Sequence, residues 1–87
     1  MKVILAVTRD KDIESILDSL LPRGFSVTKF ASMGGFLKRG STTLLIGVEE
    51  TEVEEVINLL KNAVGPPDTD QHRITLFVMN AVDFNQI

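Results

Sequence analysis

The chain has 87 residues, of which 44% are hydrophobic and 24% are charged, and its formal net charge is −3. This length predicts one folded domain, residues 1–87, and the composition excludes a disordered or low-complexity chain. Because there is no cysteine and only one histidine, a disulfide framework, thiolate chemistry and a histidine-rich metal site are excluded, and most enzyme classes are disfavoured.

The first predicted element is a strand. Lys2 to Thr8 enclose a continuous apolar run, which is typical of a strand buried on both faces. This run is far shorter than the ~20 residues of a membrane span, and the start of the sequence shows no signal-peptide cleavage pattern. We therefore expect a cytoplasmic protein that does not insert into a membrane.

A helix is predicted next, followed by two strands. The helix starts among carboxylates, which its dipole favours, and ends at Pro22-Arg23-Gly24. Phe25 to Ser32 and Ser41 to Val48 are predicted strands, joined by the glycine-containing connection Met33 to Gly40. The apolar residues at helical spacing are Ile13, Ile16, Leu17, Leu20 and Leu21.

A second helix and a last strand complete the predicted elements. The helix begins at a capping-box pattern, Thr51-Glu52-Val53-Glu54, and ends at Gly65-Pro66-Pro67. Its predicted apolar face consists of Val53, Val56, Ile57 and Leu60. Ile74 to Met79 is the last strand, and Asn80 to Ile87 is a tail.

The order of these elements, βαββαβ, predicts a ferredoxin-like α+β fold: an antiparallel sheet with two helices on one face. A weak internal repeat supports it. A shift of forty positions places Ile4 on Leu44 and Ala6 on Ile46, and it also superimposes the apolar positions of the two helices.

Both faces of the predicted sheet are apolar. Val3, Leu5 and Val7 alternate with Ile4 and Ala6, and the third and last strands show the same pattern. A monomer does not tolerate such a large exposed apolar surface, so we expect the face opposite the helices to be buried against other subunits. Leu5 and Leu76 are candidate outward positions, with the register of the strands left open.

No acidic residue lies between Asp18 and Glu49, whereas Arg23, Lys29, Lys38 and Arg39 fall in this stretch. It indicates either a region kept electropositive for an anionic small molecule or ordinary solvated cations. Four dispersed basic residues in an acidic protein do not favour a nucleic acid polymer as partner.

Four of the six glycines, at positions 34, 35, 40 and 47, fall within fourteen residues. Their backbone amides can form an anion-binding nest, or the glycines serve only to turn the chain. Phe36 and Leu37 are apolar residues inside this connection, and Phe36 suits either stacking on a flat ligand or insertion into a neighbouring subunit. Lys38 and Arg39 are candidates to neutralise phosphate.

Several motifs in this region resemble the PII-like cyclic-di-AMP receptor family. They are Gly24-Phe25, Thr28-Lys29 through Ala31, Gly34-Gly35-Phe36-Leu37, Gly40, Thr42-Thr43 and Gly47-Val48. The closing residues Phe77-Val78-Met79, Val82-Asp83 and Phe84-Asn85-Gln86 are similar to that family's C-terminal signature.

The resemblance implies a PII-like homotrimer without enzymatic activity or cofactor, with nucleotide sites at the subunit interfaces. It implies polar or backbone contacts from Thr28, Ser41 and Gly47, packing on adenine by Phe36, Leu37 and Phe77, and a tail contact from Gln86. Lys29 and Gly35, within the matched motifs, are also predicted ligand-binding residues. Family receptors carry a longer loop after the second helix, and usually arginine and asparagine where Ser26 and Ser41 stand here.

The sequence therefore predicts a signalling receptor that binds cyclic-di-AMP and passes the signal, by loop rearrangement, to an unidentified regulatory protein. A PII-like trimer for another ligand, such as ATP, ADP, AMP, an anion or a metal ion, is the alternative. A small ferredoxin-like enzyme is a third hypothesis, since this fold hosts many activities; its candidate groups are His72, Asp83 and the carboxylates of 49–55.

Overall fold

The computed structural model describes residues 1–30, 40–66 and 73–82. Two helices, α1 (Ile13–Leu20) and α2 (Val53–Ala63), accompany four strands. The strands are β1 (Lys2–Arg9), β2 (Ser26–Phe30), β3 (Ser41–Val48) and β4 (Ile74–Asn80). This order confirms the predicted ferredoxin-like α+β fold. No helix in these ranges is long and apolar enough to cross a membrane.

The four strands form one antiparallel sheet in the order β2-β3-β1-β4. The two central strands are those related by the forty-residue repeat. Ile4 pairs with Ile46 and Ala6 pairs with Leu44, and all four side chains are fully buried on the same face. The repeat thus identifies equivalent positions of the core.

Both helices pack on this buried face, which we call the helix face. The side chains of Ile16 and Leu20 in α1 and of Val56 and Leu60 in α2 are completely buried. The predicted apolar faces are therefore correct at these four positions, whereas Leu21, predicted to lie on the apolar face of the first helix, is 54% exposed in the 3-10 turn after α1. Burial of each large side chain stabilises the fold by about 1.5–3 kcal/mol.

The ends of the helices differ in detail from the prediction. Gly24, at φ +84°, ends the 3-10 turn Leu21–Arg23 that follows α1. Phe25, which was predicted to begin the second strand, lies just before β2, and its side chain is buried in the core. The predicted capping box of Thr51 and Glu54 is wrong. A 3-10 turn, Glu50–Glu52, precedes α2, so the Glu49 N–H donates to Glu52 Oε1 at 2.9 Å and the capping contact forms two residues earlier.

The opposite side of the sheet, the open face, is also apolar, as predicted. The strand pairings place on it Val3, Leu5, Val7, Ser26, Thr28, Phe30, Ser41, Thr43, Leu45, Gly47, Thr75, Phe77 and Met79. Phe77 is 53% exposed and Met79 43%. Leu5 is on the open face, but Leu76 pairs with Ala6 on the helix face, so Leu76 as an outward position is wrong.

Candidate functional site

Four predicted ligand contacts lie on the open face: Thr28, Ser41, Gly47 and Phe77. Alternation along each strand brings them to this side, since the neighbouring positions carry core residues such as Leu44 and Ile46. The open face therefore carries four of the five predicted site residues that the structure describes.

Thr28 and Phe77 nevertheless lie at opposite edges of this face. Strand pairing puts Thr28 beside Leu45, Leu45 beside Leu5, and Leu5 beside Phe77. Three strand spacings separate the two residues by about 14 Å. Two groups that flank one adenine ring lie about 7–8 Å apart, so within one subunit these two residues do not enclose the same base.

The most compact polar group is at the edge formed by β2 and β3. Ser26 pairs with Gly47, and Thr28 is the next open-face residue along β2. Among the described residues, no heavy atom would lie within 4 Å of a Cβ atom built on Gly47. The backbone of Gly47 is therefore accessible beside the Ser26 hydroxyl, and the Thr28 hydroxyl lies diagonally across from it. Both hydroxyl groups can donate to and accept from a base edge or a phosphate.

Lys29 is separated from this group. It pairs with Leu44, so it alternates to the helix face of the edge strand, where its side chain is exposed. Arg23, another cation of the acid-free stretch, donates from Nη1 to Glu55 Oε1 at 2.9 Å. Because Lys29 faces away and Arg23 is paired with a carboxylate, neither provides positive charge on the open face.

Ser41 lies at the end of the sheet where β3 begins. Gly40 precedes it in a left-handed conformation, with φ +85°, and its carbonyl accepts from the Asp10 N–H at 2.7 Å. Ser41 itself pairs with Arg9 of β1. The predicted contacts Gly35, Phe36, Leu37, Lys38, Arg39 and Gln86 lie outside the described residues, as do His72 and Asp83.

Sequence reasoning missed a buried polar cluster at the same end of the molecule. The Arg9 Nε–H donates to Asp12 Oδ2 at 2.7 Å, and both side chains are less than 10% exposed. Arg9 also donates to the carbonyls of Gly65 and Pro66 at 3.1 and 3.0 Å, while the Gly65 N–H donates to Asp12 Oδ1 at 3.1 Å. The sequence did contain one signal for this cluster: Arg9 ends the first apolar strand and is followed three residues later by Asp12.

No metal-binding site is evident in the part of the chain that the structure describes. These residues contain no group of three or more histidine, aspartate or glutamate side chains that could hold a metal ion. The chemistry that the open face offers is instead apolar packing, hydroxyl groups and an accessible glycine backbone.

Comparison with known proteins identifies a family model, a relative and a solved structure that are similar to this chain. The sequence model of the cyclic-di-AMP receptor family matches residues 1–70. The "nitrogen fixation nifHD region GlnB-like protein 1" of Methanothermococcus thermolithotrophicus is 38% identical over 76 residues, which cover 72% of each chain. A solved structure of a functionally unknown protein from Pediococcus pentosaceus ATCC 25745 is similar with a TM-score of 0.79 and 28% identity, covering 99% of this chain and 96% of that one.

Proposed function

Because the chain belongs to the cyclic-di-AMP receptor family, we propose that this nucleotide-binding signalling receptor takes cyclic-di-AMP as its ligand. The sites lie at the interfaces of a homotrimer, and the bound state is passed to a regulatory protein partner by loop rearrangement. The role is recognition rather than catalysis.

The composition of the open face carries this proposal. It combines exposed apolar side chains with Thr28, Ser41 and Gly47, the polar and backbone groups that the family resemblance assigns to ligand contacts. Flat aromatic ligands bind to surfaces of this kind, where apolar area provides the affinity and a few polar groups determine orientation.

The separation of Thr28 from Phe77 supports a site shared between subunits. One lies on the edge strand β2 and the other on the opposite edge strand β4. In a closed ring of three subunits, the β2 edge of one open face meets the β4 edge of the next. Such an arrangement brings Thr28 of one subunit near Phe77 of its neighbour, so that each ligand contacts both.

Thermal melts and titration calorimetry against a nucleotide panel test the ligand. A ligand that binds only the folded state stabilises it by about 2.7 kcal/mol at one hundred times its dissociation constant. We expect cyclic-di-AMP to give the largest shift among cyclic-di-AMP, ATP, ADP, AMP and divalent ions. A panel without any shift would contradict nucleotide binding by this face.

A different nucleotide or anion is the second candidate, and Ser26 is the observation that favours it. Ser26 lies on the open face beside Gly47, where the family resemblance predicts arginine. The shorter hydroxyl of Ser26 provides no charge for a phosphate, and Ser41 replaces the expected amide of asparagine. A shift from ATP, ADP or AMP, with none from cyclic-di-AMP, would make this candidate the function.

The double variant Ser26→Arg, Ser41→Asn separates the two candidates further. If cyclic-di-AMP is the ligand, the added charged and amide hydrogen bonds should tighten its binding by about 1–3 kcal/mol, because hydrogen bonds to charged groups are the stronger ones. Ser19→Arg is the control, since Ser19 is a half-buried residue of α1 away from the open face, and its hydroxyl donates to the Ser15 carbonyl of the same helix. Equal affinities in the double variant and the control would contradict a role for positions 26 and 41.

A further inference from the structure

The four residues Arg9 to Asp12, which we call the β1–α1 turn, hold the exit of the chain from α2. Arg9 donates to the carbonyls of Gly65 and Pro66, and Asp12 accepts the Gly65 N–H. Both backbone groups of Gly65 are therefore bound by one buried ion pair. Gly65 and Pro66 lie beyond the end of α2 at Ala63, and the β1–α1 turn supplies the hydrogen-bond partners that part-buried backbone groups need.

The same turn also holds the start of β3. The Asp10 N–H donates to the Gly40 carbonyl at 2.7 Å, and the Thr42 hydroxyl donates to Asp10 Oδ1. Thr42 is buried, whereas the Asp10 side chain is on the surface. Two positions that are 25 residues apart in the sequence, 40 and 65, are thus bonded to adjacent residues of one short turn.

From these contacts we infer that the β1–α1 turn couples the start of β3 to the exit from α2. Asp10 bonds to one segment, and its neighbours Arg9 and Asp12 bond to the other. A displacement of Gly40 moves the Asp10 backbone, and the adjoining ion pair transmits that movement to Gly65. Contiguous hydrogen-bond networks of this kind couple two sites by a factor of roughly 2 to 30 in an equilibrium constant.

The coupling gives Arg9 and Asp12 the role of positioning residues for Ser41. Ser41 follows Gly40 directly and pairs with Arg9, so the turn determines where its hydroxyl lies. This consequence for the ligand rests on the proposed function, whereas the coupling itself exists in the ligand-free protein.

Amide hydrogen exchange measured by NMR in the ligand-free protein tests the coupling. Thr42→Val keeps the shape of the side chain and removes the hydroxyl that donates to Asp10. We expect exchange at the Gly65 amide to accelerate roughly 2- to 30-fold, although Gly65 does not bond to Thr42. The amide of Ile46, in the centre of β3, reports global unfolding in the same sample.

Two further variants make the result specific. Thr42→Ser retains the hydroxyl and should return Gly65 exchange towards the wild-type rate. Thr43→Val makes the same chemical change at the next residue, on the open face, and should leave the Gly65 amide unchanged relative to Ile46. If amide exchange at Gly65 and at Ile46 accelerates by the same factor in Thr42→Val, the variant is globally destabilised and the coupling is refuted.

A binding measurement then tests the role of the turn as a positioning element. Cyclic-di-AMP affinity should fall several-fold in Thr42→Val and recover in Thr42→Ser. The reason is that the bonds from Asp10 to Gly40 and Thr42 hold Ser41 in position. Undiminished affinity in Thr42→Val would overturn this role. If the wild-type protein binds none of the nucleotides, the proposed function fails, while the exchange result still decides the coupling.

Discussion

At the scale of single residues, Gly47 is a position where a substitution should weaken ligand binding without disturbing the fold. Its φ is not in the left-handed region, and an added Cβ would meet no atom of the subunit. Gly47→Ala should therefore raise the free energy of unfolding by about 0.4–1 kcal/mol, through loss of chain entropy in the unfolded state. Titration calorimetry should show weaker nucleotide binding, because the methyl group occupies the space on the open face beside Ser26.

Gly24→Ala provides the matched control for this substitution. Gly24 also has open space around its Cβ position, but its φ of +84° is strained for any residue with a side chain. The variant should lose roughly 1–2 kcal/mol of stability and retain its nucleotide affinity. Unchanged binding by Gly47→Ala would indicate that no ligand approaches this backbone.

Phe77 is the described aromatic residue that the family resemblance assigns to adenine packing. Its ring is exposed on β4, so the fold of the subunit gains little from it. Phe77→Ala should reduce nucleotide affinity by about 1–3 kcal/mol, the usual contribution of a stacked base, with little change in the ligand-free melting temperature.

Phe30→Ala is the comparison for Phe77→Ala, because Phe30 is exposed to a similar degree on the same face but lies on β2. We expect a smaller loss of affinity than in Phe77→Ala, because Phe30, although it lies beside Thr28 on β2, is not assigned to adenine packing. Equal losses in the two variants would mean that the open face binds ligand without a specific aromatic contact at Phe77.

At the scale of elements, the molecule has a buried and an exposed ion pair that differ in their effect on stability. Asp12→Ala leaves the Arg9 guanidinium buried without its carboxylate and frees the Gly65 N–H, so denaturant unfolding should show a loss of about 3–5 kcal/mol. Glu55→Ala breaks the exposed pair with Arg23 and should cost about 0–1 kcal/mol. Similar losses would show that water already reaches the Arg9–Asp12 pair.

Sequence periodicity predicted the elements well where one face of an element is apolar. The helical spacing of Ile16 and Leu20 identified the buried side of α1, and that of Val56 and Leu60 identified the buried side of α2. It could not determine the register of β4, because apolar residues lie on both sides of that strand. Leu76 and Phe77 were therefore distinguished only by their partners, Ala6 and Leu5.

Contacts between residues distant in the chain could not be predicted from the sequence, for a different reason. Nothing local in Arg9 or Asp12 indicates that they bond to a glycine more than fifty residues later. Equally, alternation places Thr28 and Phe77 on strand faces, but their separation across the sheet follows from the strand order. The sequence predicted which residues share the candidate surface, and the structure adds how far apart they are.

At the scale of the whole molecule, the open face is the feature that a single subunit leaves unexplained. It extends across all four strands, and Leu5 lies near its centre, between Leu45 and Phe77. An exposed apolar surface of this breadth favours association of identical subunits. Since the family resemblance implies a trimer, light scattering at micromolar concentration should give the mass of three chains, and a monomeric mass would contradict the shared site.

Leu5→Glu tests that the open face is the surface through which the subunits associate. A carboxylate at the centre of the face remains hydrated in a monomer, but association would have to strip its water without supplying a partner, which is unfavourable. We expect light scattering to give the mass of one chain, with the helical circular dichroism retained because Leu5 contributes nothing to the helix face.

Leu21→Glu makes the same exchange at an exposed leucine in the turn after α1 and should remain associated. Leu76→Glu, which points a charge towards the core beside Ala6, should instead unfold the protein. If Leu5→Glu and Leu21→Glu have the same associated mass, the subunits meet through another surface, and Thr28 and Phe77 of different subunits do not form one site.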